Sequence, residues 1–163
     1  MAACGSPCDP APDPPGFNPD PSNVRVDGTY YLVTSTFEYL PGLPVYRSTD
    51  HVTWEHIGNV APRPEQVHLE KVPTPGGVWA PTIRYRDGVF YVIVTVMLGG
   101  RGCVVFTATD PAGPWSDGTP SPAVDGIDPE LAWDNEGTAY VTFGDLRYRG
   151  TDVVPCSGTG VHT

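Results

Sequence analysis

In the segment PGFNPDPS, which precedes the first predicted strand, the carboxylate of Asp20 is held between two prolines. Proline fixes its own φ and pushes the residue before it toward extended conformations, so the backbone around Asp20 is stiff. A stiff backbone suits a side chain that must point in a fixed direction, as carboxylates in acid–base chemistry do. Because Asn, Pro, Asp and Ser are also ordinary turn residues, a rigid entry turn explains these eight residues equally simply.

The elements that must position this carboxylate are short β-strands, because helical periodicity is nearly absent. One pattern, two alternating strands around a tight turn closely after a proline, occurs three times: residues 24–36 around Asp27-Gly28 after Pro21, residues 83–96 around Asp87-Gly88 after Pro81, and residues 131–144 around Asn135-Glu136-Gly137 after Pro129. A second pattern, a strand followed by Thr-Asp and a Trp, occurs at residues 45–54 and 104–115. Its two aspartates, Asp50 and Asp110, are separated by the same number of residues as Pro21 and Pro81.

A four-stranded unit repeated every 50–60 residues or so is typical of a propeller blade. A β-sandwich is the alternative for such spacing, but repetition of the whole unit in register favours the propeller. The sequence therefore predicts an all-β chain with about two and a half blades, fewer than a closed propeller needs. Trp54 and Trp115 hold matching places and are expected in the core between blades. Asp20, Ala80 and Asp128 each precede the repeated proline, so we expect all three to line the propeller axis.

The composition excludes several classes of partner. Nineteen acidic residues against nine Lys and Arg give a net charge of −10, which argues against nucleic acid. The longest apolar run, residues 89–98, is too short to span a membrane. The four cysteines show no disulfide or zinc spacing, so no metal site is predicted. No secretory signal is visible; this slightly favours the cytoplasm, although a signal lost from this sequence would fit as well.

Five segments together resemble glycoside hydrolase family 43, the five-bladed propellers that include β-xylosidases and α-arabinofuranosidases. They are PGFNPDPS, YYLVTSTFEYLPGLPVYRSTD, GGVWAPTIRYRDGVFYVI, TATDPAGPWSD and GIDPELAWDNEGTAY. The resemblance implies a five-bladed propeller, incomplete here, and inverting hydrolysis of a pentose-containing oligosaccharide. It implies no cofactor; an axial calcium ion, which some members carry, has no support in this sequence. The oligomeric state stays open.

The resemblance also implies roles for four residues. Asp20 matches the general base, and Asp128 matches the residue that orients the catalytic acid and tunes its pKa. Phe37 and Trp79 match aromatic residues of the pentose pocket, where flat apolar rings suit the C–H faces of sugars. Packing in the core is the alternative for both aromatic residues.

The sequence departs from the family at its C-terminal end. The family's general acid is a Glu in a Glu-Gly-Pro motif, which this chain lacks. We therefore expect the isolated chain to be inactive; a non-catalytic sugar-binding propeller fragment is the alternative function. Residues 1–13 are predicted to be a disordered leader, residues 14–144 the N-terminal part of the propeller, and residues 145–163 an irregular tail.

Overall fold

The computed structural model describes residues 14, 16–145 and 150–155, the last group by backbone alone. In this part of the chain the regular elements are strands and one 3-10 helix, Pro64–Gln66. The strands are β1 (Ser22–Val26), β2 (Thr29–Val33), β3 (Gly42–Ser48), β4 (Glu55–Ala61), β5 (Gly77–Val78), β6 (Thr82–Arg86), β7 (Val89–Met97), β8 (Gly102–Ala108), β9 (Thr119–Pro120), β10 (Ile127–Trp133), β11 (Ala139–Asp145) and β12 (Gly150–Pro155).

These strands form three antiparallel sheets. The first sheet has the order β1-β2-β3-β4, and the third has the order β10-β11-β12. In the second sheet, β7 pairs with β5 and β6 on one side and with β8 on the other, and β8 pairs with β9. The predicted turns at Asp27-Gly28 and Asp87-Gly88 join β1 to β2 and β6 to β7. All four turn residues have positive φ, as type I′ hairpins require.

The sheets stack face to face, and the second sheet is buried on both sides. Val92, Val94 and Val96 of β7 belong to the core shared with the first sheet, whereas Ile93 belongs to the core shared with the third. Because successive side chains of a strand point to opposite faces, two buried faces produce the nearly continuous apolar run of β7.

The first strands of the three sheets lie side by side. β1 is in contact with β6, and β6 with β10. The Ile83 backbone N–H donates to the Ser22 hydroxyl at 3.1 Å, and Arg84 on β6 forms a salt bridge with Glu130 on β10. This arrangement, with one strand of each sheet facing a common axis, is that of consecutive propeller blades.

The prediction of an irregular tail from residue 145 is wrong in part. Asp145 ends β11, and β12 pairs with β11 over six residues, from Tyr140↔Pro155 to Asp145↔Gly150. The edge of β11 exposes unpaired backbone groups, and the following segment satisfies them without an alternating apolar pattern. The predicted leader, residues 1–13, lies outside the described residues.

The two tryptophans expected between blades differ. Trp115 is 5% exposed in the core between the first and second sheets, as predicted. Trp54 is only partly buried; it lines a cleft of about 430 Å³, and its ring meets His51 edge-on. Trp115 has sheets on both sides, whereas the first sheet is flanked by a single neighbouring sheet among the described residues.

Candidate active site

Each sheet has one extra residue in its innermost strand, next to the repeated proline. In the second sheet, β5 and β6 pair with β7 in registers that differ by one residue. In the third, β10 shows the same shift between Ile127 and Glu130. In the first, the Ser35 N–H donates to the Pro19 carbonyl at 3.0 Å, one residue out of step with the β1–β2 pairing. Such bulges leave one residue outside the ladder and tolerate proline, which lacks an N–H.

The residues at these three bulges are Asp20, Ala80 and Asp128. Asp20 and Asp128 have nearly identical left-handed backbones, with φ of 51° and 52°, whereas Ala80 does not. The extended backbone expected for Asp20 is therefore wrong, because the bulge and not the neighbouring proline sets its conformation. Asp tolerates this region better than most L-residues.

Hydrogen bonds fix the segment that carries Asp20. The Ser35 hydroxyl donates to Oδ2 of Asp20 at 2.7 Å. Two residues before Asp20, the Oδ1 of Asn18 accepts from the Tyr46 hydroxyl at 3.1 Å, and its Nδ2 donates to the Pro14 carbonyl at 3.0 Å. The carboxylate of Asp20 is thus anchored by its own hydrogen bond and by its loop.

Asp128 lies close enough to Asp20 for the two carboxyl groups to interact. Partial burial raises the pKa of the Asp128 carboxyl above its usual value, and the negative charge of Asp20 raises it further. Two nearby carboxyl groups resist being ionised together, so their protonation states separate. The first and third sheets therefore bring together two carboxyl groups, and that of Asp128 holds its proton more firmly than an ordinary aspartic acid does.

The two predicted aromatic residues lie beside each other at this end of the sheets. Phe37, in the loop after β2, forms an isolated antiparallel bridge with Val78, the residue before Trp79. Both aromatic residues are partly buried, and the indole Nε1 of Trp79 donates to the Pro75 carbonyl at 2.9 Å. A Cβ on Gly77 would collide with the Phe37 carbonyl, so only glycine fits at this bridge.

Sequence reasoning overlooked two residues near Asp20. The ring of Phe17 is 78% exposed and stacks on Phe37 with centroids 6.1 Å apart. Ser35 is 2% exposed and bonds to Asp20. The sequence contained a usable pattern for Ser35, because Ser35 and Thr95 are separated by the same number of residues as Asp20 and Ala80.

Other charged side chains near these strands are held in ion pairs or lie in turns. Arg47 pairs with Glu55 at the opposite end of the first sheet, and Glu130 pairs with Arg84. Glu136 belongs to the β10–β11 turn.

No metal or membrane feature is found in residues 14, 16–145 and 150–155. Within these ranges, no three His, Cys, Asp or Glu side chains are grouped so that they could hold a metal ion. The same residues include no helix long and apolar enough to cross a membrane.

Comparison with characterised proteins identifies close relatives. The chain is 55% identical over 105 residues to a non-reducing end alpha-L-arabinofuranosidase of Bacteroides ovatus, a match covering 63% of this chain and 20% of the relative. It is 42% identical over 127 residues to a xylosidase/arabinosidase of Butyrivibrio fibrisolvens, covering 77% of this chain and 24% of the relative. The chain thus spans about a fifth to a quarter of the length of these relatives.

Solved structures of related proteins have the same fold over most of this chain. The Bacteroides ovatus xyloglucan-locus protein GH43B superimposes with a TM-score of 0.80 at 44% identity, over 86% of this chain and 28% of that one. Xylan beta-1,4-xylosidase from Bacillus halodurans gives 0.76 at 32% identity, over 91% and 31%. The predicted fold, part of a five-bladed propeller, is confirmed. The model of glycosyl hydrolases family 43 matches residues 11–155, and the chain belongs to this family.

Proposed function

We propose that this chain is part of a glycoside hydrolase that cleaves xylo- or arabino-oligosaccharides with inversion of the anomeric centre. The observation that carries the proposal is that Asp20 and Asp128 lie at equivalent bulges, close enough for their charges to interact, beside Phe37 and Trp79. The names of the relatives, an arabinofuranosidase and a xylosidase/arabinosidase, support a pentose substrate.

In this proposal Asp20 is the general base. Its carboxylate accepts a proton from a water molecule while the water oxygen attacks the anomeric carbon and the bond to the leaving oxygen breaks. The hydrogen bond from Ser35 and the bulge fix the direction of this carboxylate. Because an inverting enzyme must hold its water on one face of the sugar, a fixed base is an advantage.

Asp128 is proposed to orient the catalytic acid and to raise its pKa. A carboxylate near a second carboxyl group disfavours ionisation of that group, so an acid beside Asp128 would keep its proton at a higher pH. Phe37 and Trp79 are proposed to line the pentose pocket, with their rings against the C–H faces of the sugar.

The catalytic acid is proposed to come from a part of the propeller that this chain does not include. Protonation of the leaving group contributes about 10²–10⁴-fold to such reactions. Glu130 is paired with Arg84 and Glu136 lies in a turn, so neither is a ready substitute. We therefore expect the isolated 163 residues to show no appreciable hydrolysis.

A chimera provides the test. Residues 11–155 of this chain would replace the matching segment of the Bacteroides ovatus arabinofuranosidase, which supplies the other blades. The chimera should hydrolyse an aryl arabinofuranoside or an aryl xyloside, and proton NMR of the first-formed sugar should show inversion. Asp20→Asn should reduce turnover by about 10²–10⁴-fold, while binding of the free pentose persists.

Near-normal turnover of the Asp20→Asn chimera would refute the role of Asp20 as base. Retention of configuration would refute the inverting mechanism. The alternative function is non-catalytic sugar binding by Phe37 and Trp79, which lie next to each other through the bridge between Phe37 and Val78. An inactive chimera that still binds pentose through Phe37 and Trp79 would support that alternative.

A further inference from the structure

Two buried hydroxyl groups occupy equivalent places in consecutive sheets. Ser35 follows β2, and Thr95 lies near the end of β7; each is 2% exposed. Their separation in the sequence equals that of Asp20 and Ala80, so they belong to the same position of the repeat. A buried hydroxyl needs a hydrogen-bond partner; the partner of Ser35 is Asp20 itself, and that of Thr95 is Gly126, two residues before Asp128.

The Ser35 hydroxyl acts on Asp20 directly. Its Oγ donates to Oδ2 at 2.7 Å, the distance of a well-formed O–H···O hydrogen bond. The Ser35 backbone also bonds to Pro19, the residue before Asp20. Backbone and side chain of one residue therefore hold both the segment and the carboxyl group, which limits rotation of that group.

The Thr95 hydroxyl links the second sheet to the segment that leads into the third by a hydrogen bond. Its Oγ1 donates to the carbonyl of Gly126 at 3.1 Å, two residues before Asp128. Gly126 itself lies against Gly144 on β11, so closely that a Cβ there would collide with the Gly144 carbonyl. The chain entering the bulge at Asp128 is thus held by Thr95 from one side and by β11 from the other.

We propose that Ser35 and Thr95 are positioning residues that fix Asp20 and Asp128 relative to each other. Ser35 anchors the carboxylate of the first sheet, and Thr95 anchors the segment that leads to the acid of the third. The inference rests on the proposed function, because the two acids need a fixed spacing only if they serve one reaction. Misplacement of a reacting group by about 1 Å can cost about 10²-fold in rate.

The chain offers a matched control beside Ser35. Thr34 is 1% exposed, and its hydroxyl has no hydrogen-bond partner among the described residues. Replacing it with Val removes a buried hydroxyl at almost the same place while breaking no hydrogen bond of the site. Removal of an unsatisfied buried hydroxyl is neutral or stabilising.

The experiment measures kcat and KM separately in the chimera described above. Ser35→Ala should lower kcat by about 10–100-fold with KM changed less than about twofold. Ser35→Thr should restore most of kcat, since threonine already occupies the equivalent position at residue 95. Thr95→Val should lower kcat in the same way, and Thr95→Ser should restore it. Thr34→Val should leave both constants unchanged.

The outcomes separate the two proposals. If Asp20→Asn is inactive but Ser35→Ala and Thr95→Val behave like Thr34→Val, the positioning role is overturned and the proposed function stands. If Asp20→Asn remains active, the proposed function itself fails. Should Ser35→Ala not fold, Ser35→Cys decides, because a thiol of similar size is only a weak donor: reduced kcat supports the inference, and parental kcat overturns it.

Discussion

The two ends of the first sheet use aspartate in opposite ways. At the end where β1 begins and β2 finishes, Asp20 and Phe37 both have left-handed backbones, with φ of 51° and 49°. At the other end, in the β3–β4 turn, Asp50 accepts hydrogen bonds from the backbone N–H groups of Val52 and Thr53, both at 2.8 Å. These bonds, with one from the Ser48 hydroxyl, lower the pKa of Asp50 to about 2.

The contrast shows which end of the sheet the sequence stabilises. Asp50 satisfies the donors of its own turn, as Asp residues in turns commonly do. A left-handed residue occurs at both ends, Phe37 at one and His51 at the other, so the ends differ in their charges: partial burial and then the charge of Asp20 raise the pKa of Asp128. Like charges held close together in this way collect at functional sites, where geometry matters more than local stability.

After Asp20→Asn, the largest effect is expected from Asp128→Asn in the chimera. Replacement of the carboxyl group by an amide should lower kcat by about 10²-fold. It should also shift the limb of the pH–rate profile that the catalytic acid sets, because Asp128 is proposed to tune the pKa of that acid. The measurement is kcat/KM between pH 4 and about pH 9.

Asp50→Asn, at the opposite end of the sheet, is the control and should leave the profile unchanged. If the profile of Asp128→Asn coincides with that of the parent, Asp128 is a structural residue and the contrast between the two ends loses its chemical meaning.

The next effect concerns the aromatic residues. Phe37→Ala should raise KM about tenfold, equivalent to about 1.4 kcal/mol, because a ring against the sugar is lost while the backbone bridge to Val78 remains. Trp54→Ala, at the far end of the sheet, is the matched comparison and should leave KM unchanged. Equal effects of the two substitutions would indicate that Phe37 is a packing residue.

Much of the fold was predictable because the same strand and turn motifs recur along the sequence. The Asp-Gly pairs predicted both tight hairpins of the first two sheets, since few other residues adopt their positive φ. The extra residue at each bulge was not predicted, because it appears only when a strand is compared with its partner. β12 was missed for a similar reason: its pairing depends on the edge of β11 and on no pattern of its own.

The candidate site was predictable only where a motif marks it. Asp20 and Asp128 stand before repeated prolines, and Phe37 and Trp79 stand in recognisable segments. Ser35 is an ordinary polar residue in the sequence, and its importance follows from burial and from a hydrogen bond across 15 positions of the chain. Burial and hydrogen-bond partners of that kind depend on the tertiary structure, so they cannot be read from local patterns in a single sequence.

A smaller effect is expected in stability. The pKa of Asp128 is raised in the folded state, so the folded chain binds more protons than the unfolded chain above the ordinary value of 3.8. Stability from this group therefore falls as the pH rises from 3.8 through the raised pKa. Asp128→Asn should raise the melting temperature at pH 7, by a gain below about 1 kcal/mol because of solvent screening. The gain should vanish at pH 3; a gain independent of pH would contradict this account.

An effect of opposite sign is expected at Asp50. Its folded pKa is lowered from 3.8 to about 2, so its contribution to stability is complete above 3.8 and is lost as the pH falls toward 2. Asp50→Ala should lower the melting temperature at pH 7, with the difference from the parent shrinking between pH 4 and pH 2. Asp50→Asn keeps an oxygen that can accept from Val52 and Thr53 but carries no charge, so its loss should be smaller. Thermal unfolding of the three chains across this pH range is the measurement. A loss that is the same at pH 2 and pH 7 would show that the carboxylate is not ionised and bonded in the turn as described, and that the two ends of the sheet do not differ in the way their aspartates are used.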